Sequence, residues 1–149
     1  MIIQLQPSQI AAFWEMIKSG YIKTSGIPKI EESRVGQRLL TNLLSGYYQT
    51  WIGFSIGEDG EKVIKYIGIT SFRENNLDGR RSLFVESLYG HRVLETHEGV
   101  EDFQALVRFA KSNDCSSVKA TTRNKRVQDL MEMVGMEQSE ISYELIMEG

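Results

Sequence analysis

The chain is poor in the residues that build covalent staples, metal cages and rigid connections. It has one cysteine, Cys115, which excludes an intrachain disulfide framework and a multi-thiolate metal site. Its two histidines, His91 and His97, have Glu95 and Glu98 nearby, but nothing in that spacing enforces a tetrahedral metal centre, so no metal is expected. Prolines occur only at positions 7 and 28. No apolar run approaches the roughly 18 residues needed to cross a bilayer. Met1-Ile2-Ile3-Gln4-Leu5 has neither the basic start nor the long apolar stretch of a signal peptide. Positive charge is not in excess either. With 17 lysines and arginines against 20 acids the net charge is −3, the wrong sign for a protein that blankets a nucleic-acid backbone. Repeats, low-complexity tracts, Gly-x-Ser-x-Gly, Walker loops and zinc-ligand spacings are all missing. What is present is 41% apolar and 25% charged residues over 149 positions, enough to bury a sizeable core. The expectation is a single domain over residues 1–149, cytoplasmic, with no nucleic-acid or membrane partner.

Periodicity divides the chain further. Ile2 to Leu5 reads as a short strand. Pro7-Ser8 opens a helix carrying Ile10, Phe13, Trp14 and Ile17, ending near Gly20, with Ser8 as cap and a loop from Lys23 to Pro28. Val35, Leu39, Leu40, Leu43 and Leu44 make a second helical stripe, closed at Gly46. Three strands joined by tight turns follow: Thr50–Ile56, Val63–Phe72 and Ser82–Tyr89. Val100, Phe103, Leu106, Val107 and Ala110 predict a third helix, Val118–Thr122 a strand, and Val127, Leu130, Met131 and Val134 a fourth helix closed by Gly135. Alternation of Ile141, Tyr143, Leu145 and Met147 predicts a last strand within Glu137–Met147. The order β-α-α-β-β-β-α-β-α-β is a mixed α/β (α+β) sheet, mostly antiparallel, with helices on both faces.

This order resembles the GNAT superfamily of acyl-CoA-dependent N-acyltransferases over nearly the whole chain. Val118, Ala120, Asn124, Leu130, Gly135, Met136 and Glu137 match its pattern of strand, asparagine, and a helix that ends at a glycine and an apolar residue. Tyr66-Ile67-Gly68-Ile69 matches the family's third strand, with a glycine between apolar residues. The same run suits any strand–helix–strand unit, because glycine ends helices generally.

The resemblance implies a site for acetyl-CoA. In the family a glycine-rich loop ahead of the third helix holds the pyrophosphate, and free amides at a helix start suit an anion. Here that loop falls at Leu94–Gly99, where only Gly99 fits. Leu94 stands at the basic position, with Arg92 two residues earlier as its substitute, and His97 replaces the middle glycine. Glu95, Glu98, Glu101 and Asp102 crowd the helix start with no lysine or arginine among them, and such acids stabilise a helix N-terminus by roughly 0.3–1 kcal/mol each. An end capped by its own acids, with Thr96 as cap and Gly99 third in the helix, explains the stretch without a ligand. The implied cofactor contacts are Leu88, Tyr89, Arg92, Gly99, Val100 and Asn124. Asn124 serves equally as a helix cap.

The resemblance further implies a carboxylate base and a hydroxyl acid. Glu86, between Val85 and Leu88, is the candidate base, since burial raises a carboxyl pKa. The competing reading is a glutamate facing solvent. The family's tyrosine position, seven after Asn124, holds Met131, which donates no proton, leaving Tyr89 and Tyr143 as replacements. Arg123, Lys125 and Arg126 form a basic cluster suited to a 3′-phosphate, a carboxylate-bearing partner, or simply solvent. Cys115 reads as a small buried residue.

Two functions follow. One is a GNAT-fold binding or structural module with a degenerate acyl-CoA site and a protein partner. Degenerate relatives are familiar among bacteriophage-encoded proteins, particle components included, so a place in a phage particle belongs to this reading. It also expects an exposed apolar patch, for which Trp51, Tyr47, Tyr48 and Tyr21 are candidates. The other is an active N-acetyltransferase moving acetyl from acetyl-CoA to an amine.

Overall fold

A computed structural model describes residues 1–90, 96–122 and 125–147. Its elements are β1 (Ile2–Leu5), α1 (Ile10–Ser25), α2 (Glu32–Leu44), β2 (Tyr48–Ile56), β3 (Lys62–Glu74), β4 (Arg81–Gly90), α3 (Thr96–Ser112), β5 (Ser117–Ala120) and α4 (Lys125–Met133). The strands form one sheet in chain order. Every pairing is antiparallel except β4 with β5, which is parallel. This is the mixed architecture that the periodicity predicts.

Strand alternation sends alternate side chains to the two faces, and each face has its own helix pair. Leu5, Ile52, Ile67 and Ile69 point toward α1 and α2, where Ile10, Ile17, Leu39 and Leu43 complete a buried cluster. Burying each such side chain contributes roughly 1.5–3 kcal/mol. The opposite face carries Trp51, whose ring meets Phe109 of α3 edge-on at 4.9 Å, and Phe72 stacks on the same phenylalanine at 5.6 Å. Polar atoms there are satisfied in series: Trp51 Nε1 donates to Thr70 Oγ1 at 2.9 Å, and that hydroxyl donates to Gln49 Oε1 at 2.9 Å.

Two β-bulges break the alternation. Gly53 pairs with Tyr66 but Phe54 with Ile64, so Lys65 is the extra residue in β3. Ile69 pairs with Ser87 but Thr70 with Val85, so Glu86 is the extra residue in β4. An unpaired residue lets two neighbours share one face. Lys65 and Tyr66 both turn toward α3, and Glu86 and Ser87 both turn toward α1.

Several boundaries differ from the sequence expectation. The first helix does not stop at Gly20 but runs to Ser25 and ends at Gly26, whose φ of +64° is the left-handed value. Gly20 is interior because Tyr89 packs against it: a β-carbon there would lie 3.1 Å from the tyrosine ring. Ser8 is not a cap. Residues Pro7–Gln9 form a separate 3₁₀ turn, with Gln6 at the capping position. The third helix already includes Thr96, so Thr96 does not precede it as a cap. The last predicted strand is absent. Residues 137–147 adopt no regular structure, and no strand among the described residues lies beyond β5 to receive them. Alternation alone supplies no hydrogen-bond partner, so the pattern goes unused within this chain.

Candidate functional site

The parallel pairing of β4 with β5 covers only Ser82–Val85 against Ser117–Ala120. From Glu86 to Gly90, β4 continues with no strand on that side among the described residues. Glu86 sits where the two strands part, on the bulge. Its side chain is 11% exposed, so it does not face open solvent as one reading of the sequence held. Ser71 Oγ donates to Glu86 Oε1 at 2.6 Å, and Arg73 donates to the same oxygen through Nη2 at 2.7 Å and Nε at 3.2 Å. The Arg73 guanidinium also lies 3.6 Å from the centre of the Phe84 ring, which fixes its plane. These contacts converge on one carboxylate oxygen.

Tyr21 of α1 and Tyr48 of β2 complete the surroundings. Burial raises both phenol pKa values, and the negative charge of Glu86 raises them further. Both therefore remain neutral hydroxyls at physiological pH. Next along β4, Ser87 and Thr24 of α1 share a hydroxyl–hydroxyl bond of 2.6 Å. Lys23 Nζ donates to the Tyr89 hydroxyl at 3.3 Å and stands 5.3 Å from its ring centre. Sequence reasoning singled out Glu86 and missed Ser71, Arg73 and Thr24. The β3–β4 register carried the signal: residues 69, 71 and 73 share a face with 82, 84 and 86.

The other face of the same stretch is apolar. A cavity of about 50 Å³ lies between the sheet, α3 and α4, walled by Val85, Leu88, Phe103, Leu106, Leu130 and Met131 among others. Leu88 and Tyr89 thus fall on opposite faces, and only Leu88 reaches this cavity. Gly99 borders it too. Met131 stands in its wall, so the position where the resemblance puts a tyrosine does point inward and carries no hydroxyl.

The acids at the start of α3 do not act as one block. Glu98 and Asp102, one turn apart, both face the sheet. Glu98 accepts from Lys65, and Asp102 Oδ2 accepts from the Tyr66 hydroxyl at 2.7 Å. Burial above all, then the Asp102 hydrogen bond and charge, raise the Tyr66 pKa far above its ordinary value. Glu101 is exposed, and Glu95 lies outside the described residues. The bulge at Lys65 brings a lysine to these acids from more than thirty positions away. Local charge counting placed none there.

Other expectations separate in space. Tyr143 is 92% exposed on the irregular segment that follows α4. Arg92, Asn124, Arg123 and His91 lie outside the described residues. Trp51 is not part of an exposed patch: it is 6% exposed beneath α3. Tyr47, by contrast, is exposed and stacks on Tyr48 at 5.4 Å. Cys115 is partly exposed between α3 and β5, not buried, and partial burial raises its thiol pKa. Among the described residues no three His, Cys, Asp or Glu side chains stand together as a metal site. No helix among them is long and apolar enough to cross a membrane.

No family model matches the chain, and no curated protein matches it. Solved structures do. A crystal structure of a probable acetyltransferase superposes with a TM-score of 0.74 at 13% identity, covering 100% of this chain and 99% of that one. A predicted acetyltransferase with acetyl-CoA from Clostridium acetobutylicum gives 0.71 at 15% identity, covering 98% and 95%. A ribosomal-protein-alanine N-acetyltransferase from Brucella melitensis biovar Abortus gives 0.66 at 16% identity, covering 99% of both. The chain therefore has the fold of the GNAT acetyltransferases.

Proposed function

We propose that this protein binds acetyl-CoA and transfers its acetyl group to an amine, with Glu86 as the base. The observation that carries this reading is the largely buried carboxylate of Glu86 on a bulge, where β5 leaves the edge of β4 open. When bound, acetyl-CoA supplies an activated acyl thioester. The residues present suit it. Beyond Val85 the pairing of β4 with β5 ends, and an amide-bearing pantetheine arm pairs with such an edge at Glu86–Leu88. Leu88 and Val85 offer the arm an apolar wall. At the start of α3, Glu98 and Asp102 are turned onto Lys65 and Tyr66, which tempers their charge where an anionic diphosphate would meet the helix N-terminus.

Glu86 takes the proton from the incoming ammonium or amine, directly or through a water. Ser71 and Arg73 hold one of its oxygens, which orients the other. Tyr21 and Tyr48 line this approach as neutral hydroxyls and ring faces. Both suit a cationic amine. Met131 donates no proton, so no side-chain acid is assigned.

A second reading, a binding module without turnover, is favoured by Met131 and by Arg73, which pairs with Glu86 at 2.7 Å. Calorimetric titration with acetyl-CoA, followed by thiol release with a polyamine and with a peptide bearing a free amino terminus, tests both. Binding with release supports the enzyme. Binding without release on any acceptor supports the module. No heat and no rise in melting temperature at millimolar acetyl-CoA overturns the enzyme reading and leaves the module with a degenerate site.

A further inference from the structure

The cavity between the sheet, α3 and α4 has a definite chemistry. Trp51, Gly68, Val85, Leu88, Phe103 and Met131 are among its walls, and the surface they leave accessible is wholly apolar. The polar side chains that border it are spent on partners. Tyr66 donates to Asp102 at 2.7 Å, and Thr70 Oγ1 stands between Trp51 Nε1 and Gln49 Oε1 at 2.9 Å from each. A void that offers no polar partner does not hold water and takes up apolar groups instead. Its fitting occupant is a hydrocarbon group.

The cavity reaches the open edge of β4. Val85 and Leu88 wall it, and they bracket Glu86 and the point at which β5 leaves β4. The bulge sends Glu86 itself to the opposite face, toward α1. An amine deprotonated by Glu86 therefore comes from one face of the sheet. The space under the other face is left for the chain carried on the reacting carbonyl carbon.

We infer that the acyl group this protein accepts best is longer than acetyl: a straight saturated chain of about four carbons, carried as its coenzyme A thioester. The inference rests on the cofactor reading above and narrows the donor. Cavity size sets the length. A core cavity of about 150 Å³ takes up benzene, with its six carbons. By the same measure about 50 Å³ holds about two carbons beyond the two of acetyl. Met131 is unbranched and adapts its shape, so the wall follows the chain. A carboxylate at the end of the chain would be buried with no donor and with Asp102 close by, so a succinyl group is disfavoured. In transfer, the amine nitrogen forms the amide C–N bond as the thioester C–S bond breaks. The amine proton passes to Glu86, and the sulfur leaves with the electron pair of the broken bond.

The test is calorimetric titration of the full chain with acetyl-, butyryl-, hexanoyl- and succinyl-CoA, and with coenzyme A as reference. Burial of two more methylenes is expected to make butyryl-CoA bind about 10-fold more tightly than acetyl-CoA. Hexanoyl-CoA is expected to lose that gain, and succinyl-CoA to bind more weakly than acetyl-CoA. A β-carbon at Gly68 would stand 3.8–3.9 Å from the Ser87 carbonyl, Leu88 and Trp51, so Gly68→Ala fills the cavity at ordinary contact distances. In that variant the ratio of butyryl-CoA to acetyl-CoA affinity is expected to fall to about one. Should Gly68→Ala not fold, Met131→Ala opens the wall instead and is expected to move the optimum to hexanoyl-CoA. Butyryl-CoA binding no tighter than acetyl-CoA, or a preference unchanged in the folded variant, overturns this inference and leaves the transferase reading standing. Absence of binding by coenzyme A and by every thioester overturns both.

Discussion

The two bulges are the same backbone device put to different ends. In β3 the extra residue turns Lys65 and Tyr66 together toward α3, where they hold Glu98 and Asp102. In β4 it turns Glu86 and Ser87 together toward α1, where one meets Ser71 and Arg73 and the other Thr24. The first pair is covered by a helix whose acids it meets, and Asp102 also faces the amino terminus of Met1 at 3.5 Å. The second stands where two strands part and keeps one carboxylate oxygen directed elsewhere. Paired polar groups over a closed surface build structure, while a partly satisfied carboxylate at an open edge offers chemistry. The largest test of that contrast is Glu86→Gln. It removes the proposed base but keeps the shape, so on the transferase reading turnover is expected to fall about 10²–10⁴-fold with the melting temperature and KM little changed. A large fall in stability with little effect on turnover would make Glu86 a structural partner like Tyr66.

The β3 bulge breaks differently. A β-carbon added at Gly53 would lie 2.0 Å from a Tyr66 ring carbon, and that ring is anchored by Asp102, so it cannot yield cheaply. Gly53→Ala is expected to cost about 1–3 kcal/mol by chemical denaturation. In a Tyr66→Leu background the same change should cost little. Equal costs in both backgrounds would show that the ring is not what Gly53 accommodates.

Much of this architecture was legible in the sequence, because helix stripes such as Val35–Leu44 and turn signals such as Asp78-Gly79 are local. Glu86 was legible for the same reason, as a carboxylate between apolar neighbours. Its partners were not, since Ser71 and Arg73 reach it through strand register. The bulges were invisible altogether. Neither Lys65 nor Glu86 differs in type from a residue in a regular strand, and only pairing reveals the extra position. That gap also misjudged the charge at α3. Counting acids along the chain found no cation, whereas the lysine arrives from β3. The final strand failed in the opposite direction. Tyr143 and its neighbours alternate correctly, but alternation specifies a buried face without supplying one.

Tyr66→Phe is the next smaller test. Asp102 is buried and would lose the donor that the Tyr66 hydroxyl gives it, at a cost of about 1–3 kcal/mol at neutral pH. The pH dependence has a definite sign. The folded state holds the Tyr66 proton more tightly than the unfolded chain does. Below the ordinary tyrosine pKa of about 10 both states keep it and the contribution is complete. As pH rises past that value the unfolded chain gives it up first, so stability falls. Thermal melting of the wild type is expected to drop more steeply above pH 10 than that of Tyr66→Phe. Parallel curves would remove Tyr66 as the cause.

The smallest effect is expected from Lys65→Met, which keeps the length of the side chain and deletes the charge facing Glu98. Both side chains are partly open to water, so the loss of stability should be no more than about 1 kcal/mol. Its value lies in a second readout. Without the lysine, the carboxylate of Glu98 loses that positive charge at the start of α3, where an anionic diphosphate would sit. Acetyl-CoA affinity is then expected to weaken several-fold, and more at low salt than at high salt, since screening mutes a distant charge. An unchanged affinity at every ionic strength would mean that the lysine serves only the fold, and that whatever holds the diphosphate lies beyond the reach of Glu98.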